Sequence, residues 1–219
     1  MAKFTVSDSQ IRTFVTNIVD VYAQASTSEK LEGAAWYKNA FEACRELGIK
    51  HNVPMTIVVG VVAALSPNNK WTSNMSNADA LLTGYLRGDG VEQVTVRTYH
   101  AMRQKAFNIC ALIPENGQEC DVLALVETEL RGQKIVSFFR NIMGVPSCTI
   151  DGHARNIAYA ERLGLSGSKF TLGKVEYKVL QDAYVQASAI ISEREGFHML
   201  ACVVQAVTWT VWRRMHNIT

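Results

Sequence analysis

The stretch 130–155, LRGQKIVSFFRNIMGVPSCTIDGHAR, decides how this 219-residue chain is read, because it sets a lysine just inside one helix and an aspartate just outside the next. Ile135, Val136, Phe138, Phe139, Ile142 and Met143 recur at helical spacing and predict a helix with one buried face. Gly132 stands where a tight turn feeds that helix, Lys134 follows two residues on, and Gly144 and Pro146 end it. The β-branched Thr149 and Ile150 predict a short extended segment, and Asp151-Gly152 marks the start of a helix from His153 onward. Asp151 has two readings. As a cap it accepts first-turn amide hydrogens, worth about 1 kcal/mol. As a reactive group it pairs with Lys134, seventeen residues earlier. For Lys134 the alternative is a solvated surface charge.

Working outward, the helical pattern continues in both directions. Ser7 or Asp8 caps a first helix to about Ala25, and a second runs from about Glu29 to Lys50. The second carries Trp36 and Tyr37, an aromatic pair suited either to core packing or to stacking on a ligand. After Pro54, MTIVVGVVAAL is apolar all round and therefore predicted to be central. It stops at Ser66-Pro67-Asn68-Asn69, and a helix from Lys70 to about Leu86, starting with Trp71, ends at Gly88-Asp89-Gly90. Between Thr98 and Leu112, Tyr99, Met102, Ala106 and Ile109 form an apolar stripe, and Asp121 is placed to cap the short helix that enters the hairpin. Beyond Asp151 a helix is expected to stop at Gly164 to Gly167, another spans about Glu176 to Glu193, and a last one runs from about Phe197 to Met215. In that last helix Gln205, Trp209 and Trp212 share a face. Gln205 either reads the edge of a base beside a stacking tryptophan or bonds a neighbouring carbonyl in the core. Arg213 and Arg214 are expected at the surface, in reach of phosphate. The fold class is all-α.

Composition limits the partners. Hydrophobic residues make up 48% of the chain, enough for a large core, and the net charge of +2 leaves any nucleic-acid contact local rather than spread over the surface. The five cysteines, Cys44, Cys110, Cys120, Cys148 and Cys202, form no C-x-x-C pair. They point to a reducing cytoplasm and to neither a metal site nor an iron-sulfur cluster. The start, MAKFTVSDSQIRTF, is too polar for a signal peptide, and no apolar run reaches the roughly eighteen residues of a membrane span.

Several stretches resemble the helix-hairpin-helix base-excision DNA glycosylases, the HhH-GPD superfamily. A hairpin of the form L-P-G-x-G-x-K-T-A supplies a lysine there, and a later V-D-T-H stretch supplies an aspartate. Leu130-Arg131-Gly132-Gln133-Lys134 and Ile150-Asp151-Gly152-His153 are similar to these in order and spacing, although Thr128, Glu129 and Leu130 stand where the hairpin's first glycine belongs. Ala64 to Trp71 resembles I-L-S-x-Q-T-x-W with Asn68 at the glutamine, an amide able to satisfy an orphaned base because it both donates and accepts. With G-A-A-W-Y and V-Q-A-V-T-W added, the pattern over about residues 33–213 resembles bacteriophage-encoded relatives of these enzymes more than the cellular ones.

The resemblance implies a two-lobed fold with a cleft between the lobes. One lobe covers about 54–150 with the plug loop and hairpin; the other is built from about 1–53 and 151–219. It implies Asp151 and Lys134 as catalytic residues, Asn68, Asn69, Trp71, Arg131, Gly132, Gln133, His153 and Arg155 on DNA, and Trp36, Tyr37, Gln205 and Trp209 around the base. The expectation is a monomer of the cytoplasm, the host's if phage-encoded, with DNA as partner and no cofactor, metal or membrane. As a glycosylase, Asp151 stabilises positive charge on the sugar as the base departs, and Lys134 either holds phosphate or attacks the sugar as a nucleophile with strand nicking. An alternative moves the chemistry to the base: an amine or amino acid displaces pyrophosphate from an activated thymine, with Asp151 orienting the amine. A third keeps the scaffold as a non-catalytic DNA-binding module.

Overall fold

The computed structural model describes residues 5–114, 122–164 and 172–218, and it is α-helical, with ten helices and no strand among those residues. Asp121, Cys120 and Gly167 lie outside the described residues. The chain divides into two units, a terminal one of Met1–Tyr37 with Val145–Thr219 and a central one of Lys38–Gly144.

The central unit is built on α3 (Met55–Leu65), whose residues from Ile57 to Leu65 are all buried. Around it pack α4 (Trp71–Arg87), α5 (His100–Cys110), α6 (Leu123–Leu130) and α7 (Gln133–Ile142). A helix with no polar face has to be covered on every side, and the sequence of α3 dictates this arrangement. Gly60 sets the closeness of approach: a Cβ there would lie 2.6 Å from Val126 Cγ1 and 3.0 Å from Ile109 Cγ2.

In the terminal unit α1 (Asp8–Ala23) packs against α8 (Gly152–Tyr159), α9 (Lys174–Glu195) and α10 (Ala201–Met215). Ile18, Ile157, Leu180, Tyr184 and Val204 are fully buried at its centre. Ser7 caps α1 by accepting from the Gln10 amide at 3.2 Å. The second helix, α2 (Thr27–His51), begins in this unit with a capping box: Ser26 Oγ accepts from the Glu29 amide and Glu29 Oε2 accepts from the Ser26 amide at 2.8 Å. Gly33 on α2 lies against α10, where a Cβ would stand 2.6 Å from the Val207 backbone. The chain passes into the central unit within α2.

Three boundaries differ from expectation, each for a local reason. The helix after Asp151 stops at Tyr159 rather than at Gly164, because Ala160 turns left-handed (φ 50°), the Glu161 amide bonds Asn156 O, and the Asn156 side chain donates to Leu163 O. The last helix starts at Ala201 rather than Phe197: Gly196 ends α9 at φ 78°, and the Met199 amide donates to Ser192 Oγ at 2.8 Å instead of opening a new turn. Tyr99, expected within the helix at the spacing of Met102, Ala106 and Ile109, is the residue before α5, extended and 59% exposed.

Candidate functional site

In the central unit the sequence-predicted residues sit on two connections. The first is a two-residue hairpin. Leu130, buried, ends α6; Arg131 follows at φ 57°, and Gly132 at φ −85° precedes α7. The left-handed residue is therefore the arginine and not the glycine, which accounts for a tight turn without the first glycine of the L-P-G-x-G-x-K form. Arg140 on α7 staples the hairpin with two parallel bonds to Glu127 on α6, 2.6 and 2.5 Å. Lys134 is exposed in the first turn of α7 and forms no ion pair among the described residues, while Gln133 is half-buried. Gly132 offers no side chain as a cap, so the first-turn amides of α7, the turn that carries the lysine, have no side-chain cap.

Lys105 on α5 belongs to the same group, and sequence reasoning missed it. Its Nζ donates to Leu130 O at the end of α6, and desolvation lowers its pKa, with Glu129 opposing and Arg131 adding to the shift. Nothing in the local sequence marks this lysine, because only the folded hairpin brings it there.

The second connection is the loop 66–70. Asn69 is held inward, its Nδ2 donating to Leu65 O at 3.0 Å and Arg97 O at 3.2 Å. Asn68 is exposed and left-handed (φ 57°), and its Nδ2 reaches the Tyr99 hydroxyl at 2.6 Å. Trp71 is half-buried at the start of α4. Of the two asparagines only Asn68 stands at the loop tip; Asn69 shapes the loop.

The terminal unit holds the remaining candidates. Asp151 caps α8, Oδ1 accepting from the Ala154 amide at 2.8 Å, while its second carboxylate oxygen makes no hydrogen bond among the described residues. The segment leading to it is fixed from α9, where Tyr177 Oη accepts from the Ile150 amide at 3.1 Å and Gln181 Nε2 donates to Cys148 O at 2.8 Å. Burial pushes the Cys148 thiol and the Tyr184 phenol well up, and Asp151 adds to both shifts, so these two neighbours stay neutral beside the carboxylate.

Gln205 is buried on α10, and its Oε1 accepts from the Tyr37 hydroxyl of α2 at 3.0 Å, so its partner is a side chain from the expected pocket and not a backbone carbonyl. Trp36 and Tyr37 meet edge to face at 4.8 Å. One turn beyond Gln205, Trp209 meets His153 edge to face at 6.4 Å and carries the Arg213 guanidinium 4.4 Å from its ring centre. Arg213 thus occupies one face of that tryptophan. Arg214 bonds Glu29 and Gln24 O. Arg155 lies over the Tyr159 ring at 4.2 Å and 3.5 Å from Glu176, so it too is engaged within the protein.

The four described cysteines are free and buried, and no cluster of three or more metal-ligating side chains occurs among the described residues. No single described helix is long and apolar enough to cross a membrane. One family profile matches residues 1–216, nearly the whole chain. The chain belongs to the DUF7178 family. That family is of unknown function, and no curated protein and no solved structure gives a significant match. Within DUF7178, then, chemistry must be argued from the side chains of this chain: a fixed carboxylate and a tyrosine-held amide in one unit, a cation-bearing hairpin and an asparagine-tipped loop in the other.

Proposed function

We propose that the protein is an HhH-GPD-like DNA glycosylase that removes a modified or damaged base flipped out of the helix. The observation that carries this reading is the state of Asp151. One oxygen is pinned by the α8 cap and the other makes no hydrogen bond among the described residues, so the carboxylate is oriented with one oxygen left over. Such a group stabilises positive charge on the sugar as the glycosidic bond breaks, and takes a proton from the attacking water.

Lys134 takes the phosphate role in this reading. An amine that attacks sugar needs a desolvated setting, whereas an exposed ammonium in the first turn of a helix without a side-chain cap suits a backbone phosphate. The enzyme is then monofunctional. Arg131 and Lys105 add positive charge at the same hairpin, and Asn68, at the tip of its loop, enters the gap left by the extruded nucleotide. The division is between a central unit that holds DNA and a terminal unit that carries the chemistry.

The test is a panel of oligonucleotides bearing normal, damaged and phage-type modified bases, incubated with and without small amines and weighed by mass spectrometry, with borohydride in parallel. The expected result is loss of one base mass with no trapped adduct. A strand that exchanges pyrophosphate for the mass of an added amine would mean a base-modifying transferase. Binding without any mass change would mean a non-catalytic module.

A further inference from the structure

The hydrogen bonding of the Gln205 amide, in the terminal unit, specifies what it can still offer a ligand. It is 6% exposed, and its carbonyl oxygen is taken by the Tyr37 hydroxyl at 3.0 Å. A phenol is the stronger donor of the two groups, so this contact fixes which way the amide faces and leaves Nε2 with two hydrogens. Among the described residues the side chain makes no other hydrogen bond. Nε2 is thus the donor that this amide has left for an acceptor brought by a ligand.

We infer that Gln205, held by Tyr37, selects a flipped base that presents a keto oxygen, of the thymine, uracil or guanine type, and rejects one that presents an exocyclic amino group, of the cytosine or adenine type. This inference rests on the glycosylase-like reading above and adds a substrate class to it. A keto oxygen accepts from Nε2. An amino group at the same place sets donor against donor, and turning the amide over would exchange the bond that the phenol donates for one that it accepts, the weaker of its two roles. Tyr37 is therefore a positioning residue, acting through Gln205. Trp209, a turn further along α10, carries Arg213 over its ring and meets His153 edge to face.

The experiment uses the full chain and four oligonucleotide duplexes, each with one target base opposite an abasic site so that extrusion costs about the same in all. Two differ in the 4-substituent of a pyrimidine and the protonation of its N3, 5-hydroxymethyluracil against 5-hydroxymethylcytosine, and two in the 6-substituent of a purine and the protonation of its N1, hypoxanthine against adenine. Affinity is read by fluorescence anisotropy and base release by mass. The wild-type protein is expected to favour each keto member by about tenfold or more. Gln205→Glu, which replaces the donor by an acceptor, is expected to erase or reverse the preference, and Tyr37→Phe, which frees the amide to turn, to narrow it severalfold while duplex binding persists.

Equal binding of keto and amino members, or a preference for the amino members, overturns the inference. So does a keto preference that survives Gln205→Glu; if that variant does not fold, an undiminished preference in Tyr37→Phe overturns it instead. Base release without keto selectivity defeats this inference alone, whereas failure to bind any duplex defeats the DNA reading with it.

Discussion

The central unit is organised around one helix with no polar face, the terminal unit around several helices that pack their apolar stripes together, and the candidate residues differ in how they are held. In the central unit Asn68, Arg131, Gly132 and Lys134 are exposed on short connections braced from beneath, by Asn69 in the loop and by Arg140 with Glu127 in the hairpin. In the terminal unit Asp151, His153 and Trp209 are half-buried and Gln205 is buried, each carried on or at the start of a helix. An exposed connection can follow a long, charged, deformable ligand. A side chain set into packed helices holds its direction to within the tolerance that chemistry on a small group requires.

Packing breaks the comparison most sharply. Gly33→Ala in the terminal unit drives a methyl into the Val207 backbone, which cannot rotate away, and is expected to cost about 3 kcal/mol in urea unfolding. Gly60→Ala in the central unit meets only the side chains of Val126 and Ile109, which can shift, and is expected to cost about 1 kcal/mol. Equal costs would mean that α10 moves as readily as a side chain and that the terminal unit is not the rigid support described.

Smaller effects separate binding from chemistry. Lys134→Ala is expected to weaken DNA binding and reduce the slope of log affinity against log salt by about one, the signature of a single lost phosphate contact. An unchanged slope would remove the hairpin from the DNA interface.

Acid sensitivity at Glu29 probes the terminal unit. The Arg214 hydrogen bond, helped by the Ser26 contacts and opposed by burial, holds the Glu29 carboxyl at about 2 against its ordinary 4.5. A depressed folded value means the stabilisation is complete above pH 4.5 and is lost as pH falls towards 2. Glu29→Gln is expected to cost about 1 kcal/mol at pH 7, on the scale of a lost helix cap, and to flatten stability over that acid window. A variant as acid-sensitive as the wild type would place the titrating group elsewhere.

Much of the fold was legible because its signals are local. Apolar periodicity marks α1, α3 and α7, Ser7 and Asp151 mark helix starts, and the all-apolar MTIVVGVVAAL could only be central. Boundaries made by tertiary hydrogen bonds were not legible: nothing around Phe197 announces that Ser192 Oγ takes the Met199 amide. The same distinction applies to the site. Asp151 and Lys134 stand out by residue type and spacing, and Gln205 by being an amide on an apolar face, but its bond to Tyr37 joins positions 168 residues apart. The spacing of Tyr99 fits the stripe of the helix with Met102, Ala106 and Ile109, yet it precedes that helix and instead meets Asn68. Lys105 carries no sequence mark at all.

The central claim, a terminal-unit carboxylate acting on base release and a central-unit hairpin acting on binding, is tested most directly with Asp151→Asn. Asparagine caps a helix about as well as aspartate, so the variant keeps the α8 start and loses only the charge. Single-turnover base release is measured beside affinity for the same duplex. The account predicts release slowed about a thousandfold with affinity nearly unchanged; release at the wild-type rate, or loss of binding in place of rate, would contradict it.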